Sequence, residues 1–253
     1  MVQRRNRPAP VTFPRWIAHR GAGRLAPENT LAAFRLGAAH GYRMYECDAK
    51  LSADGVVFLL HDATLERTTN GQGVAGEQPW RALSQLDAGH WHSRAFAGEP
   101  LATLQSLARH CQAQGHWLNI EIKPTPGLEA ETGRAVALEA AKLWACDQAH
   151  TPLLTSFQPA ALQAAQEAAP HLPRGLLLDS LWNGWLDAAG QLGCVALVCN
   201  HALWDATTVG QARSVGLKTL AYTVNDEWAV KRLLALGLDG IITDRIDLFA
   251  PVD

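Results

Sequence analysis

The stretch 195–243, VALVCNHALWDATTVGQARSVGLKTLAYTVNDEWAVKRLLALGLDGIIT, carries the pattern that decides the fold. Three short apolar runs, residues 195–199, 219–224 and 240–243, alternate with two amphipathic stretches, 206–215 and 227–236. The short runs are apolar almost throughout rather than at every second residue, as in strands covered on both faces. Helical crossovers between such strands join parallel neighbours. Asn225 or Asp226 stands where the second helix needs a cap for its free N–H groups.

Upstream, the same alternation continues through runs at 118–122, 153–157 and 175–178, with helix-like stretches at 130–145 and 159–168. Pro159 falls near a first helical turn, where its missing N–H is harmless. Successive runs are spaced by roughly 20 to 35 residues, the length of a βα unit. Two earlier runs complete the set: 16–19, followed by a helix expected over 28–40, and 43–51. A doubly wound open sheet shares this alternation, but eight βα units in 253 residues suit a single (β/α)8 barrel of the TIM type. Residues 1–15 form an N-terminal extension and 16–253 the barrel domain.

One region departs from the alternation. Asp54-Gly55 is a strong turn signal, and residues 56–60 return as a strand, making a hairpin. If it turns at Ala53 and Asp54, Glu46 lies across from His61. The stretch 68–100 that follows has little periodicity and reads as an insertion capping one barrel end, with Trp80, Trp91 and Phe96 giving it a core.

Composition limits the function classes. The chain is 48% hydrophobic and 18% charged, which suits a globular protein with a sizeable core. A formal net charge of −2 argues against coating nucleic acid, which calls for a basic surplus. Five scattered cysteines with no CxxC pair make neither a disulfide framework nor a zinc site, and suit a reducing compartment. No signal peptide or membrane span is legible, so a soluble cytoplasmic protein is expected.

In a β/α barrel the reactive residues stand at the C-terminal ends of the strands. The first ends in His19-Arg20-Gly21, the second carries Glu46 and Asp48, the hairpin returns to His61-Asp62, and the next carries Glu121 and Lys123. Residues two apart on a strand point the same way, so Glu46 shares a face with Asp48, and Glu121 with Lys123. Each signal alone has an ordinary explanation, such as an exposed strand edge or a surface histidine. Their placement at successive strand ends does not, because clustered charges are costly unless something neutralises them. Three carboxylates without thiolates select a hard divalent cation, Ca²⁺ or Mg²⁺, with Mn²⁺ as a further option.

With these residues in order, the chain resembles the glycerophosphodiester phosphodiesterase family. The blocks are His19-Arg20-Gly21, Pro27-Glu28-Asn29-Thr30, Glu46-x-Asp48, Asp54-Gly55, His61-Asp62 and Asn119-Ile120-Glu121-Ile122-Lys123. Leu86-Asp87-Ala88-Gly89 and Phe96-Ala97-Gly98-Glu99 look like the family's small insertion, and Tyr222-x-Val224-Asn225 and Gly240-Ile241-Ile242-Thr243-Asp244 like its last two strand ends. The resemblance implies a barrel, a divalent cation, and hydrolysis of glycerophosphodiesters to glycerol 3-phosphate and an alcohol.

Chemistry and resemblance together assign expected roles. Glu46, Asp48 and Glu121 hold the metal; Arg20 and Lys123 contact the phosphate. His19 and His61 are general acid and base, in an order the sequence does not give. By resemblance, Glu28 orients Arg20 or the glycerol, and Tyr222 shapes the glycerol pocket where the family often has Trp. Asn29 and Thr30 shape the start of the first helix. Trp182 and Trp185 are candidates for walling the pocket, with ordinary packing as the alternative. Two other readings stay open: a lysophospholipase D, and a phosphate-binding barrel without catalysis.

Overall fold

The computed structural model describes residues 13–249 and Pro251, so residues 1–12 of the expected extension lie outside the described residues. Eight strands close into a parallel ring: β1 (Trp16–Ala18), β2 (Met44–Leu51), β4 (Trp117–Ile122), β5 (Leu153–Ser156), β6 (Arg174–Leu178), β7 (Ala196–Asn200), β8 (Lys218–Tyr222) and β9 (Gly240–Thr243). β1 pairs with both β9 and β2, which closes the barrel and rules out the open sheet. A ninth strand, β3 (Val57–Leu59), runs antiparallel to the end of β2.

The helices around the ring are α1 (Leu31–Ala39), α3 (Leu104–Gln114), α4 (Glu129–Leu143), α5 (Pro159–Ala168), α6 (Trp185–Gln191), α7 (Ala206–Ser214) and α8 (Glu227–Ala235), with α2 (Trp80–Leu83) in the insertion. Strand alternation divides the apolar residues. Cys47 and Ala49 of β2 face outward against α1, α3 and α4, whereas Met44 joins Ile17, Leu153, Leu177, Val198, Leu220 and Ile242 inside the barrel. The inward series of β2 then runs Met44, Glu46, Asp48, Lys50, from apolar floor to charged mouth.

α1 begins at Leu31, three residues later than the sequence pattern predicts. Asn29 has φ +60°, incompatible with a helical turn, and Thr30 caps the helix by accepting a hydrogen bond from the Ala33 N–H at 3.3 Å. Glu28 therefore lies in the β1–α1 loop. α3 and α6 had no separate sequence reading; α3 runs from a Thr103 cap to Gly115 at φ +63°.

The hairpin register differs by one residue from the expected one. Ala49 pairs with Leu59, Lys50 with Phe58 and Leu51 with Val57, so Glu46 does not face His61. The turn holds three residues, Ala53, Asp54 and Gly55, closed by Ser52 Oγ, which donates to Asp54 Oδ1 and accepts from the Val56 N–H. Gly55, at φ +84°, takes the left-handed position such a turn requires.

The insertion is ordered around its own cluster of Phe58, Leu60, Leu65, Ala75, Leu83, Ala88 and Leu101. Asp87 accepts from the N–H groups of Gly89, His90 and Gly98, and Glu99 accepts from the Ala32 N–H in the first turn of α1. The cap is thereby joined to the β1–α1 side of the mouth. Among the described residues, no helix is long and apolar enough to cross a membrane.

Candidate active site

His19 follows the last residue of β1, and its backbone N–H donates to Thr243 O of β9 at 3.0 Å. Its Nδ1 lies 2.6 Å from Asp244 Oδ1, and its Nε2 is 3.8 Å from Glu46 Oε2. Asp244 is held in turn by Asn225, whose Nδ2 donates to Oδ2 at 2.9 Å and whose Oδ1 accepts from the Asp244 N–H at 2.9 Å. Burial works to raise the Asp244 pKa, but the hydrogen bond and charge of His19, with Asn225 and Arg20, outweigh it and lower it.

Arg20 sits at φ +51°, a left-handed conformation rare outside glycine and commonest where a site needs it. The turn aims its N–H at Glu46 Oε2, 3.1 Å away, while Nη1 donates to Glu28 Oε1 at 2.9 Å and Nε stands 3.1 Å from Asp48 Oδ2. Asn29 clamps Asp48 twice: Nδ2 donates to Oδ2 at 2.8 Å, and Oδ1 accepts the Asp48 N–H at 3.1 Å. Of the two residues expected to shape the helix start, Thr30 does so, and Asn29 instead fixes a carboxylate.

Glu46, Asp48 and Glu121 are buried and each offers an oxygen, the three atoms lying within 4.8 Å of one another. Oxygen ligands of Ca²⁺ at about 2.3–2.6 Å lie no more than about 5 Å apart, so the cluster suits a divalent cation. Glu46 Oε1 is buried without a hydrogen-bond partner, as expected of an atom reserved for a ligand. Burial, then the charges of Asp48 and Glu121, push the Glu46 pKa well up. Burial and Asp48 push Glu121 up to about 7 against the pull of Lys123. Burial acts on Asp48 the same way, yet Arg20, His61, Lys123 and Asn29 together lower its pKa. The cluster thus carries more negative charge than its surroundings neutralise, which a cation would correct.

Lys123 Nζ lies 2.8 Å from Glu121 Oε1, 3.9 Å from Asp48 Oδ1, and 5.6 Å from the Phe157 ring centroid. His61 comes two residues after β3, beyond the reach of strand alternation, and Nδ1 sits 2.7 Å from Asp62 Oδ1. Burial, with Arg20 and Lys123, lowers the His61 pKa despite the opposing charge of Asp48. Tyr222 ends β8, donates its hydroxyl to Leu178 O at 3.0 Å and meets Phe157 edge-on at 5.7 Å.

A cavity of about 170 Å³ opens among His19, Arg20, Glu46, His61, Glu121 and Lys123, with Phe157, Leu177, Tyr222 and Ile242 as its apolar side. Asp48 and Glu28 stand behind this lining, on Arg20. Trp182 and Trp185 do not line it: Trp185 opens α6, and Trp182 is exposed.

Among the residues that had no site role from the sequence are Asp244, Asn225 and Arg67. Arg67 donates to Asp62 from Nε (2.6 Å) and Nη2 (3.0 Å), and to Glu28 from Nη1 (2.8 Å) and Nη2 (2.7 Å). It links the carboxylates behind Arg20 and His61. An aspartate at the end of the last strand was a legible signal for Asp244; nothing local to Arg67 announces its two partners.

Two carboxylate-backed imidazoles are suited to proton transfer, and two cationic side chains beside a carboxylate cluster suit a phosphate. A β/α barrel so equipped falls in the class of phosphoester hydrolases. The chain belongs to the glycerophosphoryl diester phosphodiesterase family, whose model matches residues 19–248. It is 32% identical to a glycerophosphodiester phosphodiesterase of Caldanaerobacter subterraneus subsp. tengcongensis, across 90% of this chain and 93% of that protein. Its structure is similar to that of an Oleispira antarctica phosphodiesterase in complex with the product sn-glycerol-3-phosphate. That similarity has a TM-score of 0.85 at 35% identity and covers 92% of this chain and 93% of that one. It is also similar to a glycerophosphodiester phosphodiesterase from Agrobacterium tumefaciens, with a TM-score of 0.76 at 30% identity, covering 96% of this chain and all of that one.

Proposed function

We propose that the chain hydrolyses glycerophosphodiesters to glycerol 3-phosphate and an alcohol, with a divalent cation held by Glu46, Asp48 and Glu121. The observation that supports this most is the buried carboxylate cluster set beside two acid-backed histidines in one cavity. The sn-glycerol-3-phosphate bound by the Oleispira relative supports the product. When bound, the cation supplies neutralisation of a phosphoryl oxygen and polarisation of a hydroxyl.

Arg20 and Lys123 bring positive charge to the phosphate, Arg20 oriented by Glu28 and Asp48. The glycerol's own 2-hydroxyl attacks phosphorus, since an internal nucleophile is already held in place. His61, kept neutral by its lowered pKa, accepts that proton at Nε2 while Nδ1 stays on Asp62. His19, its Nδ1 on Asp244, delivers a proton from Nε2 to the departing alcohol. The two exchange roles when water opens the cyclic ester. Tyr222, its hydroxyl engaged by Leu178, presents its ring to the glycerol carbons.

A lysophospholipase D would need an apolar groove leading out of the site. The apolar residues Phe157, Leu177, Tyr222 and Ile242 instead belong to the cavity wall and floor, which favours a substrate without an acyl chain. A barrel that only binds phosphate has no use for two acid-backed histidines.

The deciding experiment compares glycerophosphocholine with lysophosphatidylcholine, in chelator and after addition of Ca²⁺, Mg²⁺ or Mn²⁺. Cation-dependent release of choline from the first and little from the second is expected. Full activity in chelator would refute the metal site; preference for the lysophospholipid would select the other activity; no turnover of either would leave a binding barrel.

A further inference from the structure

Asn119 Nδ2, at the cavity floor, has no hydrogen-bond partner although Asn119 is 1% exposed. An unpaired buried N–H₂ is costly, and in a native site it calls for an explanation. Thr155 Oγ1, itself fully buried on β5, donates to Asn119 Oδ1 at 2.8 Å, and the opposite orientation would turn the amide oxygen toward the neighbouring Glu46 carboxylate. With its oxygen held from the β5 side, its nitrogen is left for the cavity.

Position decides what chemistry it meets. Asn119 is two residues below Glu121 on the same face of β4, about 7 Å deeper by strand rise. Its register partner on β2 is Glu46, and Leu177 and Ile242 line the cavity with it. An anionic oxygen at this depth would face the Glu46 carboxylate. The cation of this strand, Lys123, ion-pairs higher, at Glu121 and Asp48. The donor therefore suits a neutral oxygen, one that accepts from the amide and tolerates a carboxylate neighbour. A hydroxyl has those properties; a phosphoryl oxygen does not.

We propose that Asn119 Nδ2 donates to the terminal hydroxyl of the substrate's glycerol, the hydroxyl farthest from the phosphate. Asn119 is then a specificity residue: the floor reads the polyol while the charged mouth holds the phosphate. This rests on the glycerophosphodiester reading given above.

The test crosses residue with substrate. kcat/KM is measured for the parent and for Asn119→Ala, on glycerophosphocholine and on an analogue whose terminal carbinol is a methyl group but whose 2-hydroxyl is intact. The parent should prefer glycerophosphocholine by about 10-fold or more, the scale of one lost hydrogen bond at a fitted site. Asn119→Ala should lose about as much on glycerophosphocholine and change less than about 3-fold on the analogue. Asn119→Leu keeps the volume and removes the donor without adding charge beside Glu46, so it should show the same selective loss. Equal losses on both substrates would mean that Asn119 acts through the architecture of the site and would overturn the proposal. Should neither variant fold, indifference of the parent to the terminal hydroxyl overturns it equally. Failure of the parent to turn over glycerophosphocholine with cations present would overturn the underlying reading and this inference with it.

Discussion

Asp244→Asn isolates the contribution of the carboxylate behind His19. Asn225 Nδ2 requires an acceptor at position 244, so the new amide oxygen keeps that contact and its NH₂ group turns toward His19 Nδ1. Two donors cannot share that contact. His19 must then leave Nδ1 unprotonated, and the imidazolium form that hands a proton to the leaving alcohol loses its support. The bond removed is charge-assisted and short, 2.6 Å in a partly buried setting, which sets the loss at about 1.5–3 kcal/mol. At 1.36 kcal/mol per factor of ten, kcat on glycerophosphocholine should fall about 10- to 150-fold. KM should change little, since Arg20, Lys123 and the cation site are untouched. A glycerophosphodiester with a nitrophenolate leaving group needs no acid in the first step, so its nitrophenol release, read in a single turnover, should recover most of the loss. The substitution also removes a titration. Asp244 has a lowered folded-state pKa, so its stabilisation is present above the unfolded value of about 3.9 and is lost as pH falls through the folded value. The variant should melt below the parent at neutral pH, and the gap should close in acid. Parent-like kcat in a folded variant, or equal losses on both substrates, would refute the assignment of His19 as acid.

Removing one ligand charge by Glu121→Gln should weaken cation affinity sharply with little change in melting temperature of the cation-free protein, as read by calorimetry. Because the Glu121 carboxyl is pushed up to about 7, cation binding at neutral pH should release a proton and weaken below pH 7; equal binding heats in buffers of different ionisation enthalpy would contradict this. His61 has a pKa below the ordinary 6.5, so as a base it should lose activity only under that pH; an acid limb of kcat/KM above 6.5 would point to another group. Arg67→Leu should lower kcat several-fold by loosening Asp62 and Glu28, yet cost roughly 1 kcal/mol or less in stability because the side chain is 44% exposed. A large drop in melting temperature with intact kcat would make Arg67 a structural tie instead.

The sequence by itself determined the parallel βα units, which favoured the barrel, and most of the cavity; closure of β1 on β9 was the tertiary structure's to decide. Alternating apolar runs and amphipathic stretches record burial on two faces and on one, and that periodicity survives in any chain that folds this way. His19, Glu46, Glu121 and Lys123 were legible because strand ends and two-residue spacing place side chains without reference to distant contacts. Tertiary structure alone decided how the charges are balanced. Asp244 reaches His19 across 225 positions because β9 closes on β1, and Asn29 leaves the helix it precedes to hold Asp48. The hairpin slipped by one residue from the register read in the sequence, because Ser52 and Gly55 make a three-residue turn. Arg67 joins two carboxylates 34 positions apart, Glu28 and Asp62, which belong to different loops. Such contacts depend on where separate strand ends converge, and no local pattern encodes that convergence.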